Sequence, residues 1–313
     1  MKCNYEDMKC GGLIHKKIKK YIINFITPNI KLYDLAINIE DKINELTLYD
    51  DDYPLKAGIA FPTGLSVNNC AAHWTPYKEN NKILKKDDVI KIDFGIHING
   101  SIIDSAFTHS FDSKYKNLLE ASKTSTEIAI KLARPDMLLS EIGREIEENM
   151  NSYEISIKGK TKKIVPVKNL CGHEIQLFKI HGDKVIPNIN FPVYKERIKE
   201  DEFYAVETFA SNGTGETYED LKKCSHFMIN YKNENNFSDC SDKLYTYIMK
   251  KYKTLAFTDR WLSDKNKVNL NKLCEMKIIE RYPPIYDYDK KSYISQFEES
   301  IYVGEMKTEI LSN

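Results

Sequence analysis

Residues 88–111 read DVIKIDFGIHINGSIIDSAFTHSF, two runs rich in Val, Ile and Phe on either side of Asn99-Gly100. An Asn-Gly pair between apolar runs predicts a β-hairpin, because both turn residues must take positive φ. A two-residue turn there sets Ile98 opposite Ser101, Asp93 opposite Ala106 and Gly95 opposite Asp104. Asp93 and Asp104 then share one face of the sheet as diagonal neighbours, their backbones roughly 7–8 Å apart. Two carboxylates in a mostly apolar hairpin are costly to bury without a partner. Two readings stay open on the hairpin alone. Either divalent cations sit between the aspartates, since hard cations take carboxylate oxygens, or both aspartates lie on a solvated strand face.

Working outward, 313 residues allow one large domain or two smaller ones. An apolar fraction of 42% with 29% charged is that of an ordinary globular protein. The 46 basic and 46 acidic residues cancel, so bulk charge points to neither nucleic acid nor an acidic membrane as partner. The seven cysteines are scattered, without a Cys-x-x-Cys pair, as in a reduced intracellular protein. The first residues, MKCNYEDMKCGG, lack the apolar core of a signal peptide, and no run of about 18 apolar residues could span a membrane. A cytoplasmic protein is expected.

Apolar periodicity predicts helices over 13–26, 32–46, 115–132 and 140–150. The segment GIAFPTGLSVNNCAAHWTPY (58–77) follows neither the helical nor the strand period and is expected to be turn-rich. A second hairpin is expected over 153–157 and 162–167, and strands over 202–210, 225–229, 300–303 and 308–311. From Tyr231 the chain turns polar and then helical, over 244–255 and 270–278. Two helices and a hairpin, twice over, suggest a duplicated α+β unit.

Three residues could join the aspartates: His173 in NLCGH, Glu207 in the apolar run YAVETF, and Glu298 in QFE just before the last predicted strands. A buried, unpaired Glu207 would shift its pKa rather than stay charged. Each has an ordinary alternative: a turn histidine after Gly172, and solvated glutamates.

The motifs KIDFGIHINGSIIDSAFT, NLCGHEIQLFKIH, YAVETFASNGTGE, CSHFM, YPPI and SYISQFEES, with FPTGLSVNNCAAHWTP upstream, occur in an order that closely resembles a eukaryotic or archaeal type II methionine aminopeptidase, from about Leu13 to the C-terminus. The resemblance implies an α+β pita-bread fold, with pseudo-symmetric halves around a curved antiparallel sheet. It implies a single catalytic domain over 1–313, carrying a mostly helical type II insertion over 231–281. It also implies two divalent metal ions per chain. Asp93 would chelate one, Asp104 and Glu298 would bridge both, and His173 and Glu207 would complete the other. Cobalt, manganese or iron suits such an oxygen-rich set with one imidazole, and zinc is a further option.

The implied reaction removes the initiator methionine of nascent chains with a small second residue, Glu207 taking and returning a proton. His73 and His181 match the non-ligand histidines of the family, which contact substrate and stabilise the transition state. A methionine pocket would be apolar and floored by aromatics, and matches point to Phe61, Ile180, Phe209, His226, Ala256 and Tyr282. His97 shares the strand parity of Asp93 but matches no ligand, so it reads as a supporting residue or as an error in the turn register. Glu174 and Gln176 stand where the family has small residues, and are expected to border the cleft. The nascent N-terminus is the expected partner of a monomeric enzyme that binds neither nucleic acid nor membrane. A proline-specific peptidase and a non-catalytic binding protein on the same fold are the competing readings. The YPPI segment and the insertion argue against the first, the intact set of five ligands against the second.

Overall fold

The computed structural model describes residues 1–79, 82–230 and 242–313. Helices α1 (Tyr5–Phe25) and α2 (Leu32–Thr47) lead into strands β1 (Ala57–Val67), β2 (Cys70–Ala72), β3 (Val89–Ile98) and β4 (Ser101–Ser110). Helices α3 (Lys116–Leu132) and α4 (Leu139–Asn151) follow, then β5 (Glu154–Ile157), β6 (Lys160–Lys163), β7 (Val165–Pro166), β8 (Cys171–Ile175), β9 (Val185–Pro187) and β10 (Glu202–Ser211). The chain continues through β11 (Thr217–Glu219), β12 (His226–Ile229), α5 (Lys243–Lys251) and α6 (Asp264–Glu275). It closes with β13 (Ile279–Tyr282), β14 (Ile285–Asp287), β15 (Ile294–Val303) and β16 (Thr308–Ile310).

The hairpin β3–β4 forms in the expected register, Asp93 opposite Ala106 and Gly95 opposite Asp104. Asn99 and Gly100 turn with φ of 50° and 84°, both positive as a type I′ turn requires. With β1 the hairpin makes a three-stranded sheet. Ile18 and Ile22 of α1, and Leu35, Ile39 and Ile43 of α2, bury their apolar stripe against Ile90, Ile92 and Phe94. The second half repeats the plan. Strand β10 pairs along its whole length with β15 and is flanked on its other side by β8 and β7. Helices α3 and α4 pack Leu118, Ala129, Ile142 and Ile146 against Tyr204, Val206 and Ile301.

Hydroxyl groups join the two sheets. Asp104 N–H donates to Ser300 Oγ at 2.8 Å, and that hydroxyl donates to Asp104 O at 2.7 Å. Ser105 Oγ donates to Glu298 O at 2.6 Å, and Thr108 Oγ1 donates to Gln296 O at 2.7 Å. All three hydroxyls are buried, where unpaired polar groups would be destabilising. They substitute for ladder hydrogen bonds between β4 and β15. The seam therefore fixes Asp104 and Glu298 against each other.

Several expectations need correction. Helix α1 begins at Tyr5, capped by Asn4 Oδ1 accepting from Asp7 N–H at 3.0 Å. The Gly11-Gly12 pair does not interrupt it; a Cβ on Gly12 would lie 1.9 Å from Leu311 O, so close backbone packing requires glycine there. Residues 57–67 and 70–72, expected as turns, are strands; register shifts between Ile59 and Phe61 and between Phe61 and Gly64 erase the two-residue period. Glu298 lies in the middle of β15 rather than before it. That strand is buried on both faces and has no polar alternation to read. His173 lies in β8, not in a turn. Helix α5 ends at Lys251 and α6 spans Asp264–Glu275, earlier than expected, while β13 and β14 were not foreseen. The start of the proposed insertion, 231–241, lies outside the described residues.

Residues 256–261 are anchored by a buried ion pair. Arg260 donates from both terminal nitrogens to Glu40, at 2.8 and 2.6 Å, and Trp261 Nε1 donates to the same carboxylate at 3.0 Å. Among the described residues, no helix is long and apolar enough to cross a membrane.

Candidate metal centre

Five strands bring the acidic and imidazole candidates together. Strand β3 carries Asp93, β4 Asp104, β8 His173, β10 Glu207 and β15 Glu298. Glu207 and Glu298 are direct cross-strand partners, and Ala205 pairs with His173, which sets the three side by side. One ligand atom each from Asp104, His173 and Glu298 lies within 4.8 Å of the others. His173 Nε2 is 3.6 Å from Asp104 Oδ2 and 3.9 Å from Glu207 Oε1. Asp93 lines the same cavity.

Asp104, His173 and Glu298 are buried, while Asp93 and Glu207 keep partial exposure toward the cavity. No lysine or arginine is paired with any of the four carboxylates among the described residues. Asp93 Oδ1, Glu298 Oε2 and His173 Nδ1 are buried without hydrogen-bond partners. Such a cluster of like charges is unstable unless protons or cations neutralise it. Burial pushes the Asp93 carboxyl up to about 7. It raises Asp104 well above the carboxylate range, aided by the charges of Asp93 and Glu207. Glu207 and Glu298 are raised by burial in the same way, with the neighbouring carboxylates adding to it. Burial holds the His173 imidazole well below its ordinary value, and His181 lowers it further. The residues fit a divalent-metal site: hard oxygen donors, a neutral imidazole, and buried lone pairs without partners.

Protons and metal therefore compete for the same oxygens. With carboxylate pKa values raised, the metal-free site is protonated below them, so affinity should weaken as pH falls through about 7, the value reached by Asp93. Manganese titration calorimetry in buffers of different ionisation enthalpy, from about pH 6 to about 8, should show proton release on binding. Binding with no proton release across that range would contradict the protonated resting site.

The cavity has a volume of about 270 Å³. Beyond the five candidate ligands, His73, His181 and all six predicted pocket residues line it: Phe61, Ile180, Phe209, His226, Ala256 and Tyr282. They come from β1, the loops around His73 and His181, β10, β12, β13 and the segment after α5. His73 has a left-handed backbone, with φ of 62°. Its ring lies 6.0 Å from both His226 and Tyr282, edge-on to the latter. Burial lowers His73 to about 4 and His226 to about 3, so both are neutral near pH 7. His181 is exposed at the mouth and stacks on His173, ring centroids 4.0 Å apart.

Two expectations fail here. His97 is not beside the aspartates, although the register is as expected. A Cβ on Gly95 would fall 2.0 Å from the Phe61 ring, so Phe61 fills the space over Gly95 between Asp93 and His97. His97 instead lines a separate cavity with Glu40, Arg260 and Trp261. Glu174 and Gln176 do not line the metal cavity. Sequence reasoning also missed Gln296, whose Nε2 donates to Glu207 Oε2 at 3.0 Å. It lies two residues before Glu298, on the same side of β15, a spacing that could have revealed it.

Residues 6–234 match the sequence model of metallopeptidase family M24. The chain is 41% identical over 312 residues to methionine aminopeptidase 2 of Dictyostelium discoideum, covering 98% of this chain and 70% of that protein. Among solved structures, a thermophilic Arx1 superposes with a TM-score of 0.79 at 15% identity, covering 98% of this chain and 89% of the other. A methionine aminopeptidase from Thermotoga maritima gives 0.68 at 19% identity, covering 98% and 96%. These structural likenesses carry the pita-bread fold. The chain belongs to metallopeptidase family M24. Its curated relatives from Dictyostelium, Kluyveromyces lactis and Arabidopsis thaliana, at 40–41% identity, are methionine aminopeptidases of type 2.

Proposed function

We propose that the chain removes N-terminal methionine from nascent polypeptides, preferring a small second residue. The observation that carries this reading is four carboxylates and an imidazole, with no lysine or arginine paired to them among the described residues, lining one cavity together with apolar and aromatic side chains. Asp93, Asp104, His173, Glu207 and Glu298 would hold two divalent ions, of cobalt, manganese or iron, with zinc as the further option. When bound, the ions supply Lewis-acid polarisation and an acidified water.

The protein's own groups do the rest. Glu207 takes a proton and returns it to the leaving amine, with Gln296 fixing one of its carboxylate oxygens. Burial, with the charge of Asp93 adding to it, raises the proton affinity of Glu207 well above that of an ordinary carboxylate, which suits that role. His73 and His181 donate to the substrate carbonyl as its oxygen gains charge. His73 and His226 are neutral, so they add no repulsion toward bound cations. Phe61, Ile180, Phe209, His226, Ala256 and Tyr282 enclose the unbranched thioether, which gains sulfur–aromatic contact. We assign 231–281 to the type II insertion, whose described part supplies Ala256 to the cavity, and place the enzyme in the cytoplasm as a monomer.

Incubation of the manganese-loaded protein with Met-Ala-Ser and Ala-Pro-Ser tests the assignment. Methionine is expected from the first and no alanine from the second. Cleavage of the Ala-Pro peptide alone would reassign the chain to a proline peptidase. No hydrolysis with any of the four metals would make it a binding protein.

A further inference from the structure

His181 is exposed at the cavity mouth, in a loop outside the strands, so its position depends on what anchors the loop backbone. The anchor is Glu174, the residue after the candidate ligand His173. Glu174 N–H donates to Lys184 O at 2.9 Å, and Gly182 N–H donates to Glu174 O at 2.6 Å. Its carboxylate Oε2 also accepts from Asp183 N–H at 2.9 Å. Both residues that follow His181 are thus tied to one residue of β8. Strand alternation turns Glu174 away from the cavity that His173 faces. A Lys179–Asp183 ion pair at 2.7 Å also spans the loop, but Asp183 is largely exposed and such pairs contribute little.

We propose that Glu174 is a positioning residue for His181, locking the loop so that its imidazole stays stacked over His173. The proposal rests on the assignment of His181 to the reaction. A charged acceptor holds a backbone N–H more firmly than a neutral one, and the carboxylate is the part of the brace that the side chain alone supplies. A small residue at this position would leave the Asp183 amide to water.

The test compares Glu174→Ala, Glu174→Gln, His181→Ala and the Glu174→Ala/His181→Ala double variant, each loaded with manganese and assayed on Met-Ala-Ser. Glu174→Ala should lower kcat about tenfold with KM and manganese content unchanged, the size expected of a slightly misplaced catalytic group. Glu174→Gln, which keeps an acceptor oxygen, should restore most of that loss. The double variant should be no slower than His181→Ala alone, because the two residues act through one group. Additive losses, wild-type kcat in Glu174→Ala, or loss of manganese from it would overturn the proposal. If His181→Ala keeps full kcat while the protein still hydrolyses Met-Ala-Ser, the role of His181 is wrong and the positioning role falls with it.

Discussion

Asp104→Asn is expected to abolish turnover while leaving the metal-free fold at least as stable as the parent. Asp104 is the side chain through which the centre is knitted. Its Oδ2 faces His173 Nε2 at 3.6 Å, its backbone is clamped by Ser300, and a ligand atom of Glu298 lies within 4.8 Å. In the metal-free protein its carboxyl is pushed up by burial and by the charges of Asp93 and Glu207. Replacing it with an isosteric amide removes one member of a repelling group, and buried charges without partners are destabilising. The same amide cannot bridge two cations. We expect bound manganese to fall below two per chain and kcat to drop by about a thousandfold or more, several kcal/mol of transition-state stabilisation. The metal-free melting temperature should stay level or rise. Metal analysis, calorimetry and peptide assay on one preparation check all three. A variant that retains two ions and full activity would show that Asp104 holds no metal.

Glu207→Gln should separate binding from chemistry. Glu207 sits opposite Glu298 on the neighbouring strand, with Oε1 3.9 Å from His173 Nε2 and Oε2 accepting from Gln296. An amide there fills the same volume and keeps one coordinating oxygen, but cannot take up a proton. Loss of a general base costs about 10²–10⁴ in rate. We expect kcat to fall by that factor, with manganese still bound and KM little changed. Wild-type turnover in this variant would move the proton-transfer role to another group, with His73 and His181 as candidates lining the same cavity.

The hairpin was the most readable element because its signal is local: Asn99-Gly100 sets the turn, the turn sets the register, and the register puts Asp93 and Asp104 on one face. The helices α2, α3 and α4 were readable within a residue or two, since each buries one stripe of a 3.6-residue period. Strand β1 was not, because two bulges and Pro62 interrupt its alternation, yet those irregularities carry Phe61 and Gly64 to the cavity wall. Strand β15 was half read, being covered on both faces. The convergence of five strands on one centre is non-local, and periodicity contains nothing of it. Ordered motifs supplied that information. The seam of Ser105, Thr108 and Ser300 went unread because a buried hydroxyl in a strand looks like any other polar residue until its partner across the sheet is known.

The two-ion site can be tested most directly by anomalous diffraction from crystals of the manganese-loaded protein, recorded at the manganese absorption edge. Two peaks are expected, both in contact with Asp104 and Glu298, one of them also with Asp93 and the other with His173 and Glu207. A single peak, or a pair that Asp104 and Glu298 do not share, would contradict the dinuclear centre.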